Sequence, residues 1–466
     1  MANERPSTLG ELRASGFKVL PVREEMRKNL IEGLREKRDL FPGILGYEET
    51  VIPQIENAIL SGQDMILLGE RGQAKSRIIR SLTSLLDEWT PTIDGAEIPE
   101  NPFAPISAQG KAIVAAEGDA TPIKWVHRSE RYGEKLATPD ITIADLIGEV
   151  DPIKVAEGRY LSDELTIHYG LVPRTNRGIF AINELPDLAE RIQVGLLNVM
   201  EERDIQIRGH KVRLDLDVFI VATANPEDYT NRGRIITPLK DRYGSQIRTH
   251  YPPTIEAEVK IMESEGAVLP ADGFTINVPD YMSEIVAEIS RLARRSPDVN
   301  QRSGVSVRAS VANYEALLAN ALRRAIRLGE TDVVPRISDL AFVMPSLQGK
   351  VELDTVEEGR DAQVLERLIQ GAVVAVFNRR CDVTELDNIV QAFKSGLSVE
   401  TSESMGAGDY QKLLKDIPGL AEGMKAVTTS ANPAVQASAI EFVLEGLHLN
   451  KRLNKDAVSG QARYRG

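Results

Sequence analysis

Met65-Ile66-Leu67-Leu68-Gly69-Glu70-Arg71-Gly72-Gln73-Ala74-Lys75-Ser76 decides the fold. Four consecutive apolar residues read as a buried parallel strand. A glycine-bearing loop follows, then a helical pattern from Lys75 to about Glu88. This order fits the phosphate-binding spacing G-x-x-x-x-G-K-[ST]. Gly69, Lys75 and Ser76 hold their places, while Ala74 stands where the second glycine belongs. Backbone N–H groups of such a loop cradle phosphates at a helix start. Lys75 would reach the β- and γ-phosphates, and the Ser76 hydroxyl would bind Mg²⁺. The candidate nucleotide contacts are therefore Gly69, Glu70, Arg71, Gly72, Gln73, Ala74, Lys75, Ser76 and Arg77. Alanine suits position 74 only at negative φ, so the loop is expected to avoid the left-handed region there. The plain alternative is an ordinary strand-to-helix turn. Strand before and helix after favour nucleotide binding.

Gly178-Ile179-Phe180-Ala181-Ile182-Asn183-Glu184-Leu185 is a second buried strand ending in polar residues. In P-loop ATPases that end carries an aspartate for Mg²⁺ and then a glutamate that activates water. Here the aspartate position is Asn183, which can still accept from a metal-bound water but lacks the charge. Glu184 remains as general base. Alone, the motif would be a strand cap with a solvated carboxylate. Val218-Phe219-Ile220-Val221-Ala222-Thr223-Ala224-Asn225 is a third buried strand, and Asn225 at its exit can orient the attacking water. Alone, Asn225 before Pro226 would be a turn former.

Leu239-Lys240-Asp241-Arg242-Tyr243 follows. An arginine there could project onto a neighbour's γ-phosphate. A surface salt bridge is the competing reading, and Arg232, Arg234 and Arg248 compete for the role. Arg308 opens a later helix and could reach back to its own subunit's nucleotide. Spacing alone does not separate that from a helix-surface arginine.

Composition bounds the rest. The chain has 466 residues, with 69 acidic and 56 basic side chains and a net charge of −13. The acidic balance argues against broad non-specific nucleic-acid binding. No apolar run approaches the ~20 residues of a membrane helix. The N-terminus lacks an apolar signal region. One cysteine, Cys381, excludes a disulfide framework and a four-cysteine zinc site. A buried thiol is favoured over a reactive one, and a reducing cytoplasm is the expected compartment.

Residues 1–43 read as a mixed-charge helical arm, residues 44–252 as an α/β nucleotide-binding core, 253–350 as a helical lid and 351–466 as a helical C-terminal extension. Within them, 89–122 reads as an insertion or long loop, and Ile123–Val126 and Lys135–Ala137 as strands. Residues 205–214 read as a hairpin, and Leu397–Gly408 as a linker. Residues 409–466 read as helical, with a basic, frayed end from Asn450. Tyr281–Ala293, Val307–Leu328 and Val364–Phe377 read as helices.

The order of these motifs resembles the AAA+ ATPases: an αβα core with a parallel sheet, then an α-helical lid. Within them the chain is similar to the clade of MoxR proteins and the magnesium-chelatase ATPase subunit. Leu136-Ala137-Thr138-Pro139-Asp140 and Gly170-Leu171-Val172-Pro173-Arg174-Thr175-Asn176-Arg177-Gly178-Ile179 narrow it to that clade. The resemblance covers roughly residues 40–350. It implies Lys75 and Ser76 as Walker A, Asn183 and Glu184 as Walker B, Asn225 as sensor 1, Arg242 as arginine finger and Arg308 as sensor 2. It places Ile44 and Gly46 at the adenine, with ATP and Mg²⁺ as cofactors. It further implies a ring, usually a hexamer, a β-hairpin inserted at about Asp151–Tyr169, and a partner with a von Willebrand A domain.

These residues admit three functions and argue against a fourth. One is an ATP-hydrolysing remodelling motor that matures a partner protein. A second is the motor subunit of a magnesium chelatase. A third is a nucleotide-gated scaffold that barely hydrolyses, motivated by Ala74 and Asn183. A fourth, a transcriptional activator touching sigma factor, would want a Gly-Ala-Phe-Thr-type loop, and Glu157–Tyr169 has no such run.

Overall fold

The computed structural model describes residues 5–151, 153, 156, 164–201, 214–225, 234–267, 272–301, 303–354, 360–458 and 461–466. The chain divides into two compact units, Met1–His250 and Tyr251–Gly466.

Among its described residues the first unit carries nine strands. They are β1 (Met65–Leu68), β2 (Trp89–Ile93), β3 (Ile123–His127), β4 (Tyr132–Leu136), β5 (Gly148–Val150), β6 (Ile167–Tyr169), β7 (Gly178–Asn183), β8 (Val218–Ala224) and β9 (Ser245–Arg248). Five of them form one sheet in the order β4-β7-β8-β1-β9, parallel at every pairing. Every residue of β7 and β8 is buried, as strands covered on both faces must be. The strand period of two divides their side chains between two cores. Met65, Leu67, Ile179, Phe219 and Val221 pack with one set of helices. After a first helix, α1 (Leu9–Ala14), that set is α2 (Val22–Arg35), α3 (Val51–Leu60) and α4 (Lys75–Ser81), which supply Val22, Met26, Leu30, Val51, Ile55, Ile78 and Ile79. Ile66, Phe180, Ile182, Val218 and Ile220 pack on the opposite face with Ile192, Leu196 and Val199 of the helix Glu190–Glu201.

A buried charge cluster ties α2 to this sheet. The Val22 N–H, at the start of α2, donates to both Asp217 oxygens at 3.0 and 2.9 Å, a carboxylate placed where the helix dipole favours it. Burial raises the Asp217 carboxyl above the usual carboxylate range. One turn on, Glu25 accepts both Arg131 Nη atoms at 2.7 Å.

Residues 89–122, expected as a long loop, hold β2 and the helix Ala108–Glu117, and β2 pairs antiparallel with β3. Pro91 interrupts the strand pattern, and the helix buries only Gly110, so neither shows an apolar period. The strand expected at Lys135–Ala137 begins three residues earlier, at Tyr132. At the hairpin expected over about Asp151–Tyr169, β5, just before Asp151, pairs antiparallel with β6, while residues 152, 154–155 and 157–163 lie outside the described residues. Residues 205–213 of the second expected hairpin lie outside the described residues.

The second unit is built on the helices Ile255–Glu265, Asp280–Ala293, Val307–Leu328, Arg360–Arg380 and Pro433–Leu449. Their core includes Tyr281, Phe377 and Phe442, with Tyr281 stacked on Phe442 at 4.5 Å. A short β10 (Thr275–Ile276) pairs parallel with β11 (Asp332–Val333). The expected linker and helical tail are corrected here. They contain β12 (Ser398–Thr401), β13 (Asn454–Val458) and β14 (Gln461–Arg465), an antiparallel sheet in the order β12-β14-β13. The reason is visible in Gln461-Ala462-Arg463-Tyr464-Arg465: the basic residues alternate with Ala462 and Tyr464, and Tyr464 is buried. No helix among the described residues is long and apolar enough to cross a membrane.

Candidate functional site

Parallel strands bring the exits of β1, β7, β8 and β9 to one edge of the sheet, where α/β proteins bind ligands. The loop from Gly69 to Ala74 leaves β1 there and enters α4 at Lys75. It is pinned by two residues outside it. The Thr249 hydroxyl, just past β9, donates to Gln73 Oε1 at 2.6 Å. The Tyr47 hydroxyl bonds the Gln73 carbonyl at 3.0 Å and the His250 carbonyl at 2.7 Å. Burial pushes the Tyr47 phenol up to about 12, so it stays a donor. A Cβ on Gly69 would lie 1.9 Å from Thr249 Oγ1 and 2.2 Å from Gln73 Oε1. Only glycine lets the backbone approach that closely.

Ala74 corrects the expectation. Its φ is 55° and ψ 13°, in the left-handed region. The loop keeps the turn a glycine would make, although an alanine Cβ costs about 1–2 kcal/mol there. The anchored Gln73 on one side and α4 on the other hold it.

Lys75 is buried, and its ammonium is held by oxygens. It donates to the Gly69 carbonyl, to the Glu70 carbonyl at 2.8 Å and to Asn225 Oδ1 at 2.6 Å. Asn225 Nδ2 in turn donates to Glu184 Oε2 at 2.6 Å. Glu184 sits at φ 56°, ψ 46°, a left-handed conformation for a side-chained residue, and its N–H is held by Thr223 Oγ1 at 3.0 Å. Three sequence-predicted residues, from the start of α4 and the exits of β7 and β8, thus form one bonded chain. Ser76 is exposed in the first turn of α4.

Asn183 closes β7. Its Nδ2 donates to Glu134 Oε1 at 2.5 Å, and its Oδ1 accepts from Thr223 Oγ1 at 3.4 Å. Glu134, on β4, was missed by sequence reasoning, because a lone glutamate inside a strand matches no motif. Its carboxylate also accepts from Arg80 Nε at 2.8 Å and Nη2 at 3.0 Å, and from the Tyr132 hydroxyl at 3.0 Å. The Arg80 hydrogen bond, foremost, holds the Glu134 carboxyl below the usual range.

The other predicted residues have their own surroundings. Ile44 is buried in the core with α2 and α3. Gly46, at φ 81°, bonds Glu48 Oε1 through its N–H at 3.1 Å. Arg77 lies against Gly43, where a Cβ would sit 2.4 Å from its Nη2. Glu70, Gln73, Lys240, Arg248 and Thr249 line a cavity of about 550 Å³ beside the loop. Arg71 lies in the loop, exposed, next to Gly72 at φ 75°. Arg242 ends the helix Thr237–Arg242 and pairs with Glu201 in its own chain, Nε to Oε2 at 3.0 Å. Arg234 pairs with Glu190, and Arg232 lies outside the described residues. Arg308 is exposed in the first turn of Val307–Leu328, in the second unit.

The arrangement fits a nucleoside triphosphate on two observations. The loop leaves no room for a Cβ at Gly69, and the Lys75 ammonium is aimed at oxygen acceptors beside Asn225 and Glu184.

The chain is similar to known proteins over part of its length. The model of the sigma-54 interaction domain family matches residues 156–239. A Bacillus subtilis (strain 168) protein, Uncharacterized protein YeaC, is 26% identical over 257 residues, covering 51% of this chain and 74% of that protein. The magnesium-chelatase 38 kDa subunit of Rhodobacter capsulatus is 25% identical over 240 residues, covering 48% of this chain and 60% of the relative. The magnesium-chelatase subunit ChlI of Nephroselmis olivacea is 24% identical over 373 residues, covering 72% and 96%. With the parallel sheet, the phosphate loop and the strand-end residues in place, these matches support an AAA+ ATPase of the magnesium-chelatase/MoxR type.

Proposed function

We propose that the protein hydrolyses ATP at this sheet edge and works as a ring motor that remodels or matures a partner protein. The observation that carries this is the bonded chain Lys75–Asn225–Glu184. Loop residues Gly69–Ala74 and Lys75 hold the phosphates, and Ser76 and Asn183 hold Mg²⁺, which neutralises phosphate charge when bound. Glu184 takes a proton from the attacking water. Asn225 fixes the Glu184 carboxylate and releases the Lys75 ammonium to the γ-phosphate.

Arg242 as a finger would exchange its Glu201 partner for a neighbouring subunit's phosphate, which calls for a ring, with six subunits as the family's usual number. Residues 44–252 serve as the core, 253–350 as the lid carrying Arg308, and 351–466 as an extension. The partner expected by resemblance bears a von Willebrand A domain, and the compartment is the cytoplasm. A chelatase motor role follows the names of two relatives and is the alternative within the same chemistry.

A second reading, a nucleotide-gated scaffold with little hydrolysis, draws on the uncharged Asn183. Steady-state phosphate release with Mg²⁺-ATP separates the two, with Lys75→Ala and Glu184→Gln as controls. Turnover lost in both variants supports the motor. Turnover no higher than in the variants, with ATP binding intact, leaves the scaffold.

A further inference from the structure

The substitution at 183 raises a charge question that the neighbouring strand answers. Residue 183 contributes a neutral amide where P-loop ATPases place a carboxylate. Glu134 sits on β4, the strand that pairs with β7, and its Oε1 is 2.5 Å from Asn183 Nδ2. It belongs neither to the phosphate loop nor to any strand-end motif.

The contact does two things. It commits the amide nitrogen to Glu134, so the amide oxygen is the atom left to face a cation or its water. That oxygen holds only a long bond, 3.4 Å from Thr223 Oγ1. It also places a carboxylate, itself paired with Arg80, one hydrogen bond from the position that lacks one. The carboxylate is fixed from its other side by Arg80 at 2.8 and 3.0 Å and by Tyr132 at 3.0 Å. Arg80 lies on α4 four residues after Ser76, which puts the two on the same helix face. Glu134 is thereby tied to both elements that carry the predicted metal residues, α4 and the end of β7.

We infer that Glu134 is a positioning residue for the divalent cation, supplying through Asn183 the orientation and charge that an aspartate at 183 would give. This rests on the nucleotide-binding reading above. It makes the site a divided one, with the ligand atom on β7 and its charge on β4. Partners that orient a metal ligand are worth about 10–100-fold in metal affinity.

The test is binding of a fluorescent ATP analogue, titrated with Mg²⁺ and repeated in EDTA, with thermal melting of each variant. Glu134→Gln is expected to raise the Mg²⁺ concentration for half-maximal tightening by about tenfold or more while affinity in EDTA is kept. Adding Asn183→Asp to Glu134→Gln moves the charge onto 183, keeps a donor facing it, and is expected to restore the Mg²⁺ response. If Glu134→Gln alone does not fold, the charge-moved pair still reports. An unchanged Mg²⁺ response in Glu134→Gln overturns the inference. So does an equal loss with and without metal, the mark of a merely structural contact, and so does a pair no better than the single variant. Failure of the unsubstituted protein to bind the analogue in either condition overturns the nucleotide reading, and this inference with it.

Discussion

Asn225 Nδ2 donates to Glu184 Oε2 at 2.6 Å while Asn225 Oδ1 accepts from Lys75 at 2.6 Å. One amide therefore orients the proposed base and restrains the phosphate-binding cation. Each has a different task, so substitutions should split binding from turnover. Glu184→Gln is expected to keep ATP binding and lower phosphate release by roughly 10²–10⁴-fold. Lys75→Ala is expected to lose binding. Asn225→Ala is expected to bind ATP yet turn it over at least about tenfold more slowly, since it positions the base rather than acting as one. Wild-type turnover in Asn225→Ala would reduce the bonded chain to a packing detail.

Ala74 sits at φ 55° in a loop held by Gln73 and α4. Replacing it with glycine relieves about 1–2 kcal/mol of left-handed strain and returns about 0.4–1 kcal/mol through the freer unfolded chain. Ala74→Gly is thus expected to raise stability by up to about 1.6 kcal/mol, and Ala74→Val to lower it. Urea denaturation decides the sign. Equal midpoints for all three proteins would show that the loop is not strained at 74.

The parallel sheet was legible because its central strands are buried on both faces and so appear as unbroken apolar runs, as in Ile179–Ile182 and Val218–Ala222. Lys75, Glu184 and Asn225 were legible because each sits at a strand exit or helix start that those runs locate. The error at Ala74 came from letting local preference overrule the loop. The turn is set by contacts from Thr249 and Tyr47, far away in sequence. Glu134 was invisible for the same reason: its meaning lies in Asn183, 49 positions on, across a strand pair. The C-terminal sheet hid behind a basic composition that suggested a loose tail, while Tyr464 was donating to buried Glu445 at 2.5 Å.

Cys381 tests the reading of the lone thiol. It follows Arg379 and Arg380, which favour a thiolate, yet it lies 6% exposed among Leu386, Phe377 and their neighbours. Burial outweighs the Arg380 charge and pushes the thiol up to about 11. At pH 8 the folded protein is therefore expected to resist a thiol reagent, and to label fully in denaturant. Because the thiolate is the nucleophile, labelling should quicken as pH approaches 11. Rapid labelling of folded protein at pH 8 would contradict the buried assignment.

Glu25 and Arg131 form a bidentate pair at 2.7 Å, nearly sealed from water at 4% and 1% side-chain exposure. Arg177 lies close enough to feel the same charges: burial, and then Arg131, lowers its guanidinium to about 10. Removing Glu25 leaves two buried cations near one another with less to offset them. Glu25→Gln is expected to cost about 3–5 kcal/mol, the usual loss when one partner of a buried pair is deleted. Removing both charges with apolar residues of similar size, Glu25→Leu with Arg131→Met, should cost far less, because the desolvation of two ions is no longer required. The remaining loss comes from the Arg177 carbonyl, which accepts from Arg131 Nε at 2.8 Å in the native protein, and from the Asp87 N–H, which donates to Glu25 Oε1 at 2.6 Å. The measurement has a built-in reporter. Both tryptophans of the chain, Trp89 and Trp125, lie in the first unit, so urea denaturation followed by their fluorescence reads that unit alone. A double variant as unstable as Glu25→Gln would show that the pair supplies net stability rather than only avoiding an unpaired buried charge.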